Sequence, residues 1–133
     1  MNYYNVGIVT GSFDLLHAGH INLLKKARQK CGKLIVALHV DPSIERPSKN
    51  KPIESVLERQ IKLNVCTYVD KIVVYETEAD LSIIFRYFKI DTRFLGTDAK
   101  DGRVVTDEDA VPIEYIESLP IHTSGLRERI KNS

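Results

Sequence analysis

Apolar strand-like runs alternate with amphipathic segments along almost the whole chain, and this alternation constrains the fold more than any single residue does. The runs are YNVGIVTG (Tyr4 to Gly11), KLIVALHV (Lys33 to Val40), KIVVY (Lys71 to Tyr75), TRFLGT (Thr92 to Thr97) and IEYIE (Ile113 to Glu117). Helical spacing fills the gaps: Ala18 to Lys30, Ser55 to Cys66, Ala79 to Phe88, and a short basic segment, SGLRERIK, near the end. Near-continuous apolar strands separated by helices predict an α/β fold, a five-stranded parallel sheet flanked by helices on both faces. Within the first helix Ile21, Leu24 and Ala27 recur on one stripe, which should face the sheet. Leu81, Ile84, Phe85 and Phe88 form the matching stripe of the third helix. Gly32 is expected to end the first helix in a left-handed conformation, and Asp91 to break the third.

A chain of 133 residues fits a single domain, 1–133, large enough to bury a core without disulfides or metals. Charged residues are 28% and apolar ones 43%, with a formal net charge of +1, which excludes a disordered chain and gives no basic face of the kind that DNA binders carry. Aromatic residues such as Tyr3, Tyr4 and Phe13 are not interleaved with basic ones as in a single-strand binder. No apolar stretch is long enough for a membrane span, and MNYYNVGIV lacks the charged start and cleavage site of a signal peptide, so a cytoplasmic location is expected. Cys31 and Cys66 then read as reduced thiols.

The chemistry concentrates in GSFDLLHAGH, residues 11–20, which joins the first strand to the first helix. In an open α/β sheet such a turn is where ligands bind. Backbone N–H groups of the first helical turn and the positive end of the helix dipole make it an anion site. His17 and His20 stand three apart, on one helical face, and two imidazole donors there can hold phosphate oxygens. Two other readings compete. A histidine in a first turn can simply cap or pack. The HxxH pair could also recruit Cys31, His39 or His122 to zinc, although helical zinc pairs are usually spaced i, i+4 with a glutamate.

GSFDLLHAGH resembles the signature of the cytidylyltransferase-like nucleotidyltransferases, small Rossmann-like enzymes, and within them glycerol-3-phosphate cytidylyltransferase. The pattern is Gly, any residue, Phe, Asp, two or three residues, then His-x-Gly-His, and Gly11, Phe13, Asp14, His17, Gly19 and His20 fill it. Thr10, Gly11, Ser12, Phe13, Asp14 and Gly19 are then expected at the nucleotide, and His17 and His20 as catalytic donors to its phosphates. VALHVDPSIERPSKNKPIESVLERQIKL resembles the family's lysine-bearing loop and arginine helix. This implies that Lys49 and Lys51 face the triphosphate and that Arg59 holds the acceptor phosphate. GTDAKDG resembles the loop that contacts the nucleotide after the fourth strand, which implies roles for Gly96 and Asp98. IHTSGLRERI resembles the segment before the last helix, with Thr123 and Ser124 capping that helix at the phosphates. His122 stands where the family usually has serine, and ESLP upstream offers no arginine where the glycerol-3-phosphate enzyme has one.

The resemblance implies transfer of CMP from CTP to a phosphorylated small alcohol such as glycerol 3-phosphate, with Mg²⁺ accompanying the triphosphate and a homodimer as the usual assembly. With the fourth strand beside the first, the base is expected over Gly96, and CTP is expected to be preferred over ATP and UTP. Heptose-phosphate and riboflavin-phosphate adenylyltransferases share the signature, so ATP and a sugar phosphate are the alternative pair. A catalytically silent nucleotide-binding module is the reading from a different class, and intact His17 and His20 weigh against it.

Overall fold

A computed structural model describes residues 3–97, 111–119 and 128–131. Five parallel strands form one sheet: β1 (Tyr4–Gly11), β2 (Cys31–His39), β3 (Lys71–Tyr75), β4 (Thr92–Gly96) and β5 (Ile113–Ile116), in the order β3-β2-β1-β4-β5. The helices are α1 (Ala18–Arg28), α2 (Val56–Asn64) and α3 (Glu78–Tyr87), and residues 128–131 are also helical. The expected alternation is present, with β4 beside β1.

Strand pleating divides the core in two. Val9, Val36, Leu38 and Phe94 face Leu24 and Ala27 of α1 and Leu63 of α2. Ile8, Ile35 and Ala37 point the other way, onto Leu81, Ile84 and Phe85 of α3. The predicted stripes of α1 and α3 are the buried ones, with Ile21 and Phe88 half-buried at their margins.

Both expected helix stops are corrected. Helix α1 ends at Arg28 with Gln29 as cap, and Lys30 N–H donates to the Ala27 carbonyl at 2.9 Å. The Tyr4 N–H then donates to the Lys30 carbonyl at 2.8 Å, so pairing with β1 draws Cys31 and Gly32 into β2. Gly32 is therefore a strand residue, and an added Cβ would come within 3.2 Å of the Asn5 carbonyl oxygen. Helix α3 is stopped by Lys89, at φ +52°, with Ile90 N–H reaching the Phe85 carbonyl and Lys89 N–H the Arg86 carbonyl. This is a Schellman end with lysine where glycine is common. Asp91 instead receives the Val6 N–H on Oδ2 at 2.9 Å, which ties the start of β4 to β1.

Candidate nucleotide-transfer site

The strand order reverses at β1: β2 and β3 lie to one side, β4 and β5 to the other. The carboxyl ends of β1 and β4 flank that switch point, where open α/β sheets bind ligands. Gly11 ends β1 there and Gly96 ends β4.

The turn after β1 is tightly built. Gly11 has φ +157°, and Phe13 and Leu15 lie in the left-handed region at +51° and +50°. Phe13 is buried in the core, its ring 5.5 Å from that of His20. His17 is the N-cap of α1: its Nδ1 accepts the Gly19 N–H at 3.0 Å, while His20 Nδ1 accepts the His17 N–H at 3.1 Å. The rings lie 4.0 Å apart at 31°. A nitrogen that accepts a backbone N–H cannot carry the ring proton, so both neutral imidazoles hold theirs on Nε2. Capping and phosphate donation, set against each other in the sequence, thus use opposite ring atoms and are compatible.

Asp14 does not reach outward from the turn. It is buried, and its two oxygens accept the N–H groups of Ile53 and Glu54, each at 2.9 Å. Arg59 requires a correction of the same kind. It is 2% exposed because it sits one turn before Leu63 on the face of α2 that packs against the sheet. Its Nε donates to the carbonyls of Glu54 and Ser55, Nη1 to those of Ser12 and His39 at 3.0 and 2.7 Å, and Nη2 to that of Val40 at 2.8 Å. Main-chain carbonyls are what this guanidinium holds among the described residues. Burial pushes its pKa down, opposed by Asp14, Glu54 and Asp41.

Lys49 and Lys51 are exposed on the segment between β2 and α2. Arg46 on that segment pairs with Glu78 at 2.8 Å, and the Glu78 N–H donates to Glu45 at 3.0 Å, which anchors the segment to the start of α3. The hydroxyl and N–H of Ser43 on Asp41 Oδ1, at 2.6 and 2.9 Å, hold that carboxyl below its ordinary value, and Lys51 adds to the effect. Asp98, His122, Thr123 and Ser124 lie outside the described residues.

Two residues that the sequence did not single out, Arg93 and Glu54, and one weighed only for zinc, His39, have partners in or beside the site segments. Arg93 of β4 is buried and donates through Nη2 to Thr10 Oγ1 at 2.7 Å, which fixes Thr10 to the neighbouring strand. His39, considered only as a zinc ligand, stacks on Tyr75 at 4.4 Å with Nε2 3.1 Å from the Glu76 carbonyl oxygen. Glu54 accepts the Leu15 N–H at 2.6 Å. Cys31, another residue weighed for zinc, begins β2 and so lies at the opposite end of the sheet from His17.

A phosphate-binding turn at the switch point of a five-stranded parallel sheet defines an α/β nucleotide-handling protein. Residues 8–128 match the model of the cytidylyltransferase-like family, and the chain belongs to that family. The bifunctional protein HldE of Campylobacter jejuni strain 81116 is 32% identical over 133 residues, covering 98% of this chain and 29% of that protein. HldE of Granulibacter bethesdensis is 38% identical over 101 residues, 75% of this chain and 21% of that protein. The chain thus spans less than a third of the length of these relatives. Among solved structures, a lipopolysaccharide core biosynthesis protein from Thermoplasma volcanium superposes with a TM-score of 0.70 at 24% identity, covering 86% of this chain and 98% of that one. Pantothenate synthetase of Thermus thermophilus gives 0.58 at 13%, covering 93% and 64%. Both structures share the fold. Membership in the family carries nucleotidyl transfer as the class of reaction. No helix among the described residues is long and apolar enough to cross a membrane.

Proposed function

We propose that the chain transfers AMP from ATP to the phosphate of a sugar phosphate and releases pyrophosphate. The observation that carries this reading is the match to HldE along 98% of the chain. One feature of the sequence agrees with an acceptor other than glycerol 3-phosphate: ESLP lacks the arginine of the glycerol-3-phosphate enzyme.

In the reaction an acceptor phosphate oxygen forms a bond to the α-phosphorus of ATP as the bond from that phosphorus to the bridging oxygen of pyrophosphate breaks. The protein contributes positioning and charge stabilisation, since a phosphate nucleophile is already ionised and needs no strong base. His17 and His20 donate Nε2–H to α- and β-phosphate oxygens, joined by backbone N–H groups at the start of α1. Lys49 and Lys51 screen the outer phosphates. Mg²⁺ arriving with the triphosphate would supply further charge neutralisation beside Lys49 and Lys51.

The test is to incubate the protein with each nucleoside triphosphate and a panel of sugar phosphates and polyol phosphates, then identify products by mass. An ADP-sugar with stoichiometric pyrophosphate is expected. A CDP-linked polyol as the main product would return the chain to cytidylyl transfer.

A further inference from the structure

Between the histidine turn and the start of α2 the hydrogen bonds run in both directions. The side chain of Asp14 takes the N–H groups of residues 53 and 54, and the side chain of Glu54 takes the N–H of Leu15. Glu54 is held in turn by Lys62, which pairs with its other oxygen, and its side chain is only 10% exposed. Leu15 sits at φ +50°, a conformation that a bulky side chain adopts only when its surroundings impose it, and it lies two residues before the cap His17. Arg59 completes the ring by binding Ser12 in the turn, His39 and Val40 where the lysine segment begins, and Glu54 and Ser55 where it ends.

We propose that Glu54 is a positioning residue for nucleotidyl transfer: its carboxylate imposes the left-handed conformation of Leu15 and so sets where His17 and His20 present their Nε2 donors. This rests on the reading of the histidines as phosphate donors. The same clasp joins the segment carrying Lys49 and Lys51 to the histidine turn, so the two phosphate-facing groups share one frame. The contact spans 39 positions of sequence, and no local pattern announces it.

Three substitutions test the idea. Glu54→Gln keeps an oxygen acceptor for Leu15. Glu54→Ala removes it, and Glu54→Asp keeps the charge but shortens the reach, which provides a second variant if the alanine protein does not fold. For Ala and Asp, kcat should fall on the order of 10-fold to 10² while the KM for ATP stays within about threefold, because a small misplacement of donors acts on the transition state. Gln should restore kcat to within about threefold of wild type. A folded Ala or Asp variant with wild-type kcat would overturn the proposal, as would a Gln variant as impaired as Ala. Imidazole ¹⁵N spectra of the free protein supply a readout independent of turnover. Wild type should show the Nε2–H tautomer for His17 and His20, and the Ala and Asp variants a shift toward mixed tautomers. If wild type fails to release pyrophosphate from every nucleotide tried, the transfer reading fails, while unchanged imidazole resonances in folded Ala and Asp variants would sink the clasp.

Discussion

At the scale of single residues, His17 does two things with two ring atoms, and substitution can separate them. Replacing it with alanine removes both the cap and the donor, so kcat should fall by on the order of 10² to 10³, and stability by about 1 kcal/mol. Asparagine can accept the Gly19 N–H as an N-cap but offers no Nε2–H at the same place. His17→Asn should therefore recover the thermal midpoint and leave kcat low; recovery of both would mean that capping was the whole role of His17. His39 makes a different prediction, about pH. Burial lowers its pKa from the ordinary 6.5, only partly offset by the Glu76 carbonyl and by Glu78 and Glu45. The unfolded chain takes up a proton near that ordinary value while the folded chain does not, so the unfolded state binds more protons below it. The contribution to stability is complete above the ordinary value and is lost as pH falls toward the lowered one. The midpoint should drop as pH falls below the ordinary value, and His39→Gln should flatten that slope in thermal scans at stepped pH. A slope unchanged by the substitution would assign the pH dependence to other groups.

Among the elements, α2 separates what sequence can show from what it cannot. Its helical pattern and its Ser55–Glu58 capping box are local and legible, since Ser55 Oγ accepts the Glu58 N–H and Glu58 accepts that of Ser55. That Arg59 faces inward is not legible, because a charged residue on an amphipathic helix reads as surface until the carbonyls of Ser12, His39 and Val40, from two other segments, are known to converge on it. The stop of α3 eluded the sequence for a similar reason: lysine at the left-handed position carries no glycine signal. The alternation of strands and helices, by contrast, depends only on period and hydrophobicity, and each of the five strands and of helices α1 to α3 lies within a few residues of its expected bounds. Arg59→Ala should therefore cost about 3 kcal/mol or more in denaturant unfolding, since it leaves several inward carbonyls without a donor, and Arg59→Lys should recover little of it. A lysine variant of wild-type stability impaired only in acceptor KM would give Arg59 back to the phosphate. The exposed Lys49 and Lys51 should behave oppositely: alanine there should leave stability within about 0.5 kcal/mol and raise the KM for the triphosphate, with bound nucleotide slowing tryptic cleavage of the segment. Equal cleavage with and without nucleotide would remove the segment from the site.

On the scale of the whole molecule, the order β3-β2-β1-β4-β5 puts the histidine turn and the end of β4 side by side at the carboxyl edge of the sheet, with α1 and α2 behind one face of the sheet and α3 behind the other. All five strands and both halves of the core lie within this chain, although its relatives are more than three times its length. The proposed transfer is tested most sharply by the base that the chain selects. Discrimination between bases comes from polar groups that one base satisfies and another leaves buried without partners, and from the volume a purine fills and a pyrimidine leaves empty. Such sites commonly separate cognate from non-cognate substrates by ~10² or more. The expected order is ATP over CTP and UTP by at least that ratio in kcat/KM, measured with all four nucleotides and one sugar phosphate that the protein accepts. An inverted order, CTP over ATP by a similar margin, would overturn the adenylyl assignment. It would leave untouched the roles of His17, His20 and the lysine segment, because these act on phosphates that the nucleotides have in common.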